Sequence, residues 1–267
     1  MKKIISIVIF LALALTSNAQ ALNDIVERKI LKERKVLSYA PLREADLMWE
    51  KRIWRVIDFR EKMNHSFTYP EAPFVKILMD AAENCEITVY NTENDKFTYP
   101  MDSTSLKEVL YQIDTIEVFD PVTYESKLVV TSTSINPEDI KRIRIKEQWF
   151  FDEATSTMQV RIIGIAPLIE VRGEDGSFRH EKPLFWAYYP ELRPLLAHKK
   201  VFNPYNDQSN VSWEDLFERR FFSSYIYKKS NVHDDRLQDV YTGVDLLLEA
   251  DKIKQEIFNY EHDLWSY

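Results

Sequence analysis

The period of the apolar positions changes several times along the chain. Residues 4–15 are apolar except for Ser6. Leu22, Ile25, Val26, Ile30, Val36 and Leu37 then recur at roughly helical spacing through a highly charged stretch, which predicts an N-terminal helical arm over 20–45. Over 46–63 no Pro or Gly intervenes. At about 100° per residue Met48, Trp49, Ile53, Val56, Ile57 and Met63 gather on one broad face, so the pattern predicts a second helix. Leu47 and Trp54 fall on its far side among Glu50, Lys51, Asp58 and Glu61. An indole there is either covered within its own domain or a contact for another protein.

Residues 74–82 read as a short helix, 86–90 alternate like a strand, and 106–112 suggest another helix. Strand-like runs follow at 116–119 and 127–131. The clearest strand signal lies at 140–167. Ile143, Ile145, Trp149 and Phe151 alternate with Arg142, Arg144, Lys146 and Gln148, and Met158, Val160 and Ile162 alternate with Gln159 and Arg161. Period two in both arms, with a turn at 152–157, predicts an antiparallel hairpin with one buried face. Its other face carries Arg142, Arg144, Lys146 and Arg161, open to solvent or to an acidic partner. The aromatic run 183–190 has a proline at each end, which suggests a terminal or edge strand of the sheet, and Pro194 and Pro204 bracket a loop after it. From Ser212, a hydroxyl N-cap ahead of Glu214 and Asp215, the pattern is helical to the end of the chain. The whole predicts one α+β unit over 46–267: an antiparallel sheet with a strong central hairpin, N-terminal helices and a helical C-terminal third.

Composition and charge narrow the function. Lys2 and Lys3 before the first apolar run, and Ser17-Asn18-Ala19 after it, form the pattern of a cleaved export signal over 1–19. The run falls short of the ~18 residues needed to span a bilayer. Removing the first 19 of 267 residues would leave 248 and take the net charge from −8 to −10. That balance argues against nucleic acid as a partner. The single Cys85 can form no internal disulfide and reads as a small buried hydrophobe. Only four glycines are present, too scattered to cradle a phosphate.

No reaction chemistry emerges from the spacing. No two of His65, His180, His198, His233 and His262 stand at i, i+4 spacing, and one cysteine cannot build a thiolate zinc site. There is no Gly-x-Ser-x-Gly elbow. Cys85 lacks an activating neighbour, and the acidic pairs Asp234-Asp235 and Glu261 with Asp263 read as solvated carboxylates. The expectation is therefore a chain with no catalytic residue, metal or cofactor.

Several segments together resemble a known family. They are 46–58 (Asp-Leu-Met-Trp-Glu-Lys-Arg-Ile-Trp-Arg-Val-Ile-Asp), 142–152, 160–167, Leu184-Phe185-Trp186 with Tyr189-Pro190-Glu191, Ser230-Asn231-Val232, 248–251, and Glu261-His262-Asp263-Leu264-Trp265. These blocks are similar to those of the gliding-motility GldN (PorN) family, while 74–134 adds little to the likeness. The resemblance implies a non-enzymatic periplasmic subunit of the type IX secretion and gliding machinery. Such a subunit would assemble with the outer-membrane lipoprotein GldK (PorK) into a ring, meet the motor component GldM (PorM), and be held at the outer membrane by its lipoprotein partner. Ring closure needs at least two distinct surfaces. The candidates are Leu47 with Trp54, the hairpin cations Arg142, Arg144, Lys146 and Arg161, and the arm. A different expectation is a periplasmic ligand- or glycan-binding module using Trp186, Tyr188 and Tyr189 as a stacking platform. A third is a hydrolase built around Cys85 or a histidine.

Overall fold

A computed structural model describes residues 29–119, 126–173 and 177–265. The export signal expected at 1–19 and the start of the arm lie outside them. In chain order the elements are β1 (Leu47–Asp58), α1 (Phe74–Glu83), β2 (Val89–Tyr90), α2 (Ser103–Leu110), β3 (Tyr111–Phe119) and β4 (Ser126–Ser134). There follow β5 (Arg142–Asp152), β6 (Thr157–Arg172), β7 (Phe178–Pro183), β8 (Trp186–Tyr188), α3 (Tyr189–His198) and α4 (Trp213–Glu218). The last elements are β9 (Tyr225–Lys229), α5 (Leu237–Val240) and α6 (Gly243–Trp265). The main sheet is antiparallel in the order β2-β8-β6-β5-β1-β9, with β7 on the distal half of β6, and β3–β4 form a separate hairpin. The class is α+β, as the pattern predicted.

The hairpin at 140–167 is the centre of the sheet. Its register runs from Arg142 opposite Leu168 to Asp152 opposite Thr157, with one irregularity between Lys146 and Glu147 that leaves Ile163 unpaired opposite them. Ile143, Ile145, Ile162 and Ile165 are buried in the main core with Ile57, beneath Phe74 and Leu78 of α1, Tyr189 and Leu192 of α3, and Trp213 and Phe217 of α4. Phe67, in the 3₁₀ segment Lys62–Thr68, sits at the middle of this core and stacks on Phe59.

The second predicted helix is instead β1, the strand beside the hairpin. Its first half alternates in exposure, but Ile53 to Asp58 are all buried, because β5 and β9 flank it and both faces are covered. A strand buried on both faces loses the period-two signature. Charged residues on both faces then allowed the apolar ones to be sorted into a helical stripe. Three further expectations change. The segment 189–198 is α3 and runs through Pro194, the residue at which the loop up to Pro204 was expected to begin. β9 interrupts the C-terminal helical run and pairs with β1 through Ile53 to Val56. Cys85 is exposed, with φ 55°, just past α1.

Of the expected arm, the described part carries a turn at 30–33 and irregular backbone up to the short 3₁₀ segment Glu44–Asp46, with no α-helix. The aromatic strand β8, expected at the edge, lies one place in from it, because the two-residue β2 pairs along its outer side. No helix among the described residues is long and apolar enough to cross a membrane.

Candidate interaction surfaces

Cross-strand pairing aligns the residues singled out in the sequence. One row runs Lys228, Trp54, Lys146, Gly164, Tyr188 across β9, β1, β5, β6 and β8. Trp54 is therefore flanked by two lysines, whose Nζ atoms lie 4.7 Å (Lys228) and 5.6 Å (Lys146) from its ring centroid. Its Nε1–H donates to Asp95 Oδ2 at 2.6 Å. Phe97 covers the row: it packs on Gly164 and meets Trp186 edge-on, 5.4 Å from Lys146 Nζ. Gly164 is the residue that allows this approach, since a Cβ there would stand 2.3 Å from the Phe97 ring.

Lys146 is only 5% exposed and Trp54 7%, so this part of the hairpin is a second packed face and not the open one expected. Burial drives the Lys146 ammonium below its ordinary value, and Asp95, 3.5 Å away, partly restores it. The other cations also have partners in the chain. Arg142 donates to Asp58 at 2.8 Å and pairs with Glu181. Burial alone would raise the Asp58 carboxyl, but hydrogen bonds from Arg60 and Arg142 hold it far below the carboxylate range. The Arg144 guanidinium lies 4.2 Å over the Tyr227 ring. Arg161 donates to the Ala40 carbonyl at 2.8 Å and faces the rings of Tyr39 and Phe150. Leu47, at the start of β1, is half-buried.

Arg161 thus touches a second candidate surface, the strap formed by 34–43. Arg34 grips Asp215 with both terminal nitrogens, one at 2.6 Å, and reaches Glu214. Tyr39 donates to Glu218 at 2.6 Å, with the Arg193 guanidinium 4.1 Å from its ring, and the Leu31 carbonyl meets His198 Nδ1 at 2.7 Å. Asp215 also closes the predicted cap of α4. Its backbone N–H donates to Ser212 Oγ at 3.2 Å, and its Oδ2 accepts the Ser212 N–H at 3.1 Å. Desolvation opposes its ionisation, but Arg34 and Ser212 win and set its pKa at about 2.

The third surface was only half legible. α6 docks Ala250, Ile253 and Ile257 on Ile53 and Ile226, and Trp49 stacks on Tyr260 with centroids 4.7 Å apart. Earlier turns present Val244 (70% exposed), Leu247 and Leu248 outward, with Val240 of α5 beside them in sequence. Between α6 and the 3₁₀ segment Lys62–Thr68 runs a groove of about 540 Å³ lined by Arg55, Trp149, Arg220, Phe222, Lys254 and Phe258, among others. Beneath it Glu147, fully buried, receives Arg220 at 2.8 Å, Arg55 at 3.2 Å and the Trp149 indole N–H at 3.0 Å.

Among the described residues no group of three or more His, Cys, Asp and Glu side chains is placed to hold a metal ion. The Cys85 thiol meets the Ser103 hydroxyl at 3.6 Å. Of the residues of the expected stacking platform, Trp186 and Tyr189 are buried, and Tyr188, half-buried, packs against Phe97 with ring centroids 5.6 Å apart.

The family model for "Gliding motility associated protein GldN" matches residues 42–266. The chain belongs to the GldN family. A search of curated proteins found no match. Membership makes the chain a component of the gliding-motility and type IX secretion machinery, in a family of periplasmic structural components. The GldN blocks recognised in the sequence are adjacent in space: 46–58 contains β1, 142–152 is β5, and 160–167 is the part of β6 paired with β5 and β8. The blocks at 248–251 and 261–265 lie on α6.

Proposed function

We propose that this GldN chain is a non-enzymatic structural subunit that assembles with the outer-membrane lipoprotein GldK (PorK) into a ring and contacts the motor component GldM (PorM). The observation that supports an assembly role is the outward apolar run Val244, Leu247 and Leu248 on a helix whose next turns are anchored in the core. Large aliphatic side chains held out on an anchored helix favour burial against a neighbouring subunit. A ring requires a second, different surface on the same molecule. Leu47 and Arg161 have side-chain surface to offer it, while Trp54, Arg142, Arg144 and Lys146 act on partners through the shape they give that side of the sheet.

The test is co-purification from native envelopes with tagged full-length chain. Leu247→Glu combined with Leu248→Glu leaves the core contacts of α6 untouched, so circular dichroism should be unchanged while recovery of GldK drops several-fold. Undiminished recovery of both GldK and GldM by this folded variant would remove the support that α6 gives, and failure of the unmodified chain to bring down GldK would end the proposal.

A further inference from the structure

The groove beside α6 has an ionic imbalance that the fold does not resolve. Arg55 and Arg220 share one buried carboxylate, Glu147, and Lys254 stands on the rim. Arg55 is 7% exposed, and its Nε, although within ion-pair distance of Glu147, has no aligned hydrogen bond. Arg220 Nη1 is likewise buried with no hydrogen-bond partner. No carboxylate is among the described residues that line the groove. Lys254 makes no ion pair among the described residues, although the chain as a whole carries a net charge of −8. The rest of the lining is mainly apolar, with Trp149, Phe222, Phe258 (68% exposed) and Met63 (51%), beside Ser223 and Ser224. The Ser224 hydroxyl accepts from Arg55 Nη1 at 3.2 Å.

These features select an occupant. An apolar ligand would leave the positive excess of the groove, two guanidiniums and Lys254 against the one carboxylate of Glu147, without a counter-charge. A bare inorganic anion would leave the aromatic lip exposed. Nucleic acid would need a much wider cationic track than three side chains provide. A carboxylate beside an aromatic or aliphatic side chain meets both demands, because it supplies the counter-charge that Lys254 and the two arginines lack and covers Phe258 and Met63. We propose that this groove docks an acidic segment of a partner protein, with aspartate or glutamate next to aromatic residues. The inference rests on the assembly reading only for the partner being a protein; the chemistry of the groove is independent of GldK and GldM.

The test uses the purified full chain and a labelled, end-blocked pentapeptide alternating aspartate with phenylalanine, followed by fluorescence anisotropy. Saturable binding is expected, weakening as salt rises. Lys254→Glu and Phe258→Ala, both at the rim, should each weaken it about tenfold, and Lys76→Glu on α1 should not change it. The same peptide with asparagine in place of aspartate should not bind. Arg220→Gln should also abolish binding, with its folding checked separately because the side chain supports Glu147. The proposal is overturned by any of three results: no saturation below about 1 mM, a range far weaker than specific peptide recognition; equal binding of the asparagine peptide; or rim variants that bind normally. Such a failure would leave envelope co-purification intact, whereas a defect in assembly would leave peptide binding unchanged.

Discussion

Arg220 and Glu147, 73 residues apart, meet at 2.8 Å where the main core borders the cluster under α6. Arg55 approaches the same carboxylate from β1. Two sections of core are thereby tied through one fully buried anion. The whole charge of Glu147 is compensated by side chains, with the indole N–H of Trp149 holding its second oxygen. Removing one partner of a buried pair leaves an uncompensated charge, a loss of about 3–5 kcal/mol. Glu147→Ala should therefore lower stability by about 3 kcal/mol or more in urea unfolding, with Arg55 and Arg220 left facing each other. A change below about 0.5 kcal/mol would mean that water reaches the pair.

Trp54 gives a second prediction, because its sequence position allowed two opposite roles. It is 7% exposed, is clustered with Ala166 and Trp186, and donates to Asp95. Truncating a buried aromatic costs about 3–5 kcal/mol, so Trp54→Ala should melt the isolated chain at a markedly lower temperature. A variant of unchanged stability that loses partner binding would restore the direct-contact role.

What could be read from the sequence depended on how many faces of an element are covered. The β5–β6 hairpin kept its period-two pattern because the charged residues of β5 are gathered on one side, with the exception of Glu147. β1 has Arg55 on the core side and Trp54 on the other, so its alternation was lost and a helical stripe could be drawn through the same residues. The cations of β5 were legible as a stripe, but their partners were not. Asp58, Asp95, Glu181 and Tyr227 come from four other segments, and only pairing register brings them together. The groove beside α6 was invisible for the same reason. Its cations come from β1, the turn after α4, and α6, and none stands near another in sequence.

The strap supplies a prediction about pH. Asp215 titrates near 2 in the folded chain, below the ordinary 3.8, with Arg34 and Ser212 responsible after the opposing effect of burial. A lowered folded pKa contributes stability that is fully present above about 4 and is lost as pH falls through about 2. Arg34→Gln should therefore raise the Asp215 pKa toward its ordinary value and shift acid loosening of the strap upward within that window. Limited proteolysis at 29–43 should be faster for this variant even at pH 7. Identical cleavage and an unmoved Asp215 titration would show that Tyr39 and Arg161 hold the strap without Arg34.

Gly164 connects backbone geometry to the cationic row. An added Cβ would lie 2.3 Å from Phe97 Cζ and 3.2 Å from the Ala187 carbonyl oxygen, and the carbonyl belongs to the paired strand β8 and cannot move far. Phe97 must then swing away. That withdraws the ring 5.4 Å from Lys146 Nζ and uncovers Trp186. Overpacking of this kind costs about 1–3 kcal/mol, so Gly164→Ala should destabilise the chain by that amount while the hairpin register survives. Two measurements separate this from a general loss of folding. The Trp186 indole should gain solvent access, and the Lys146 ammonium, released from part of its burial, should titrate closer to its ordinary value. Pairing Gly164→Ala with Phe97→Ala should recover most of the lost stability attributable to the clash, because the second substitution removes the ring the new methyl group meets. A double variant no better than the sum of the two singles would place the strain at the Ala187 carbonyl instead.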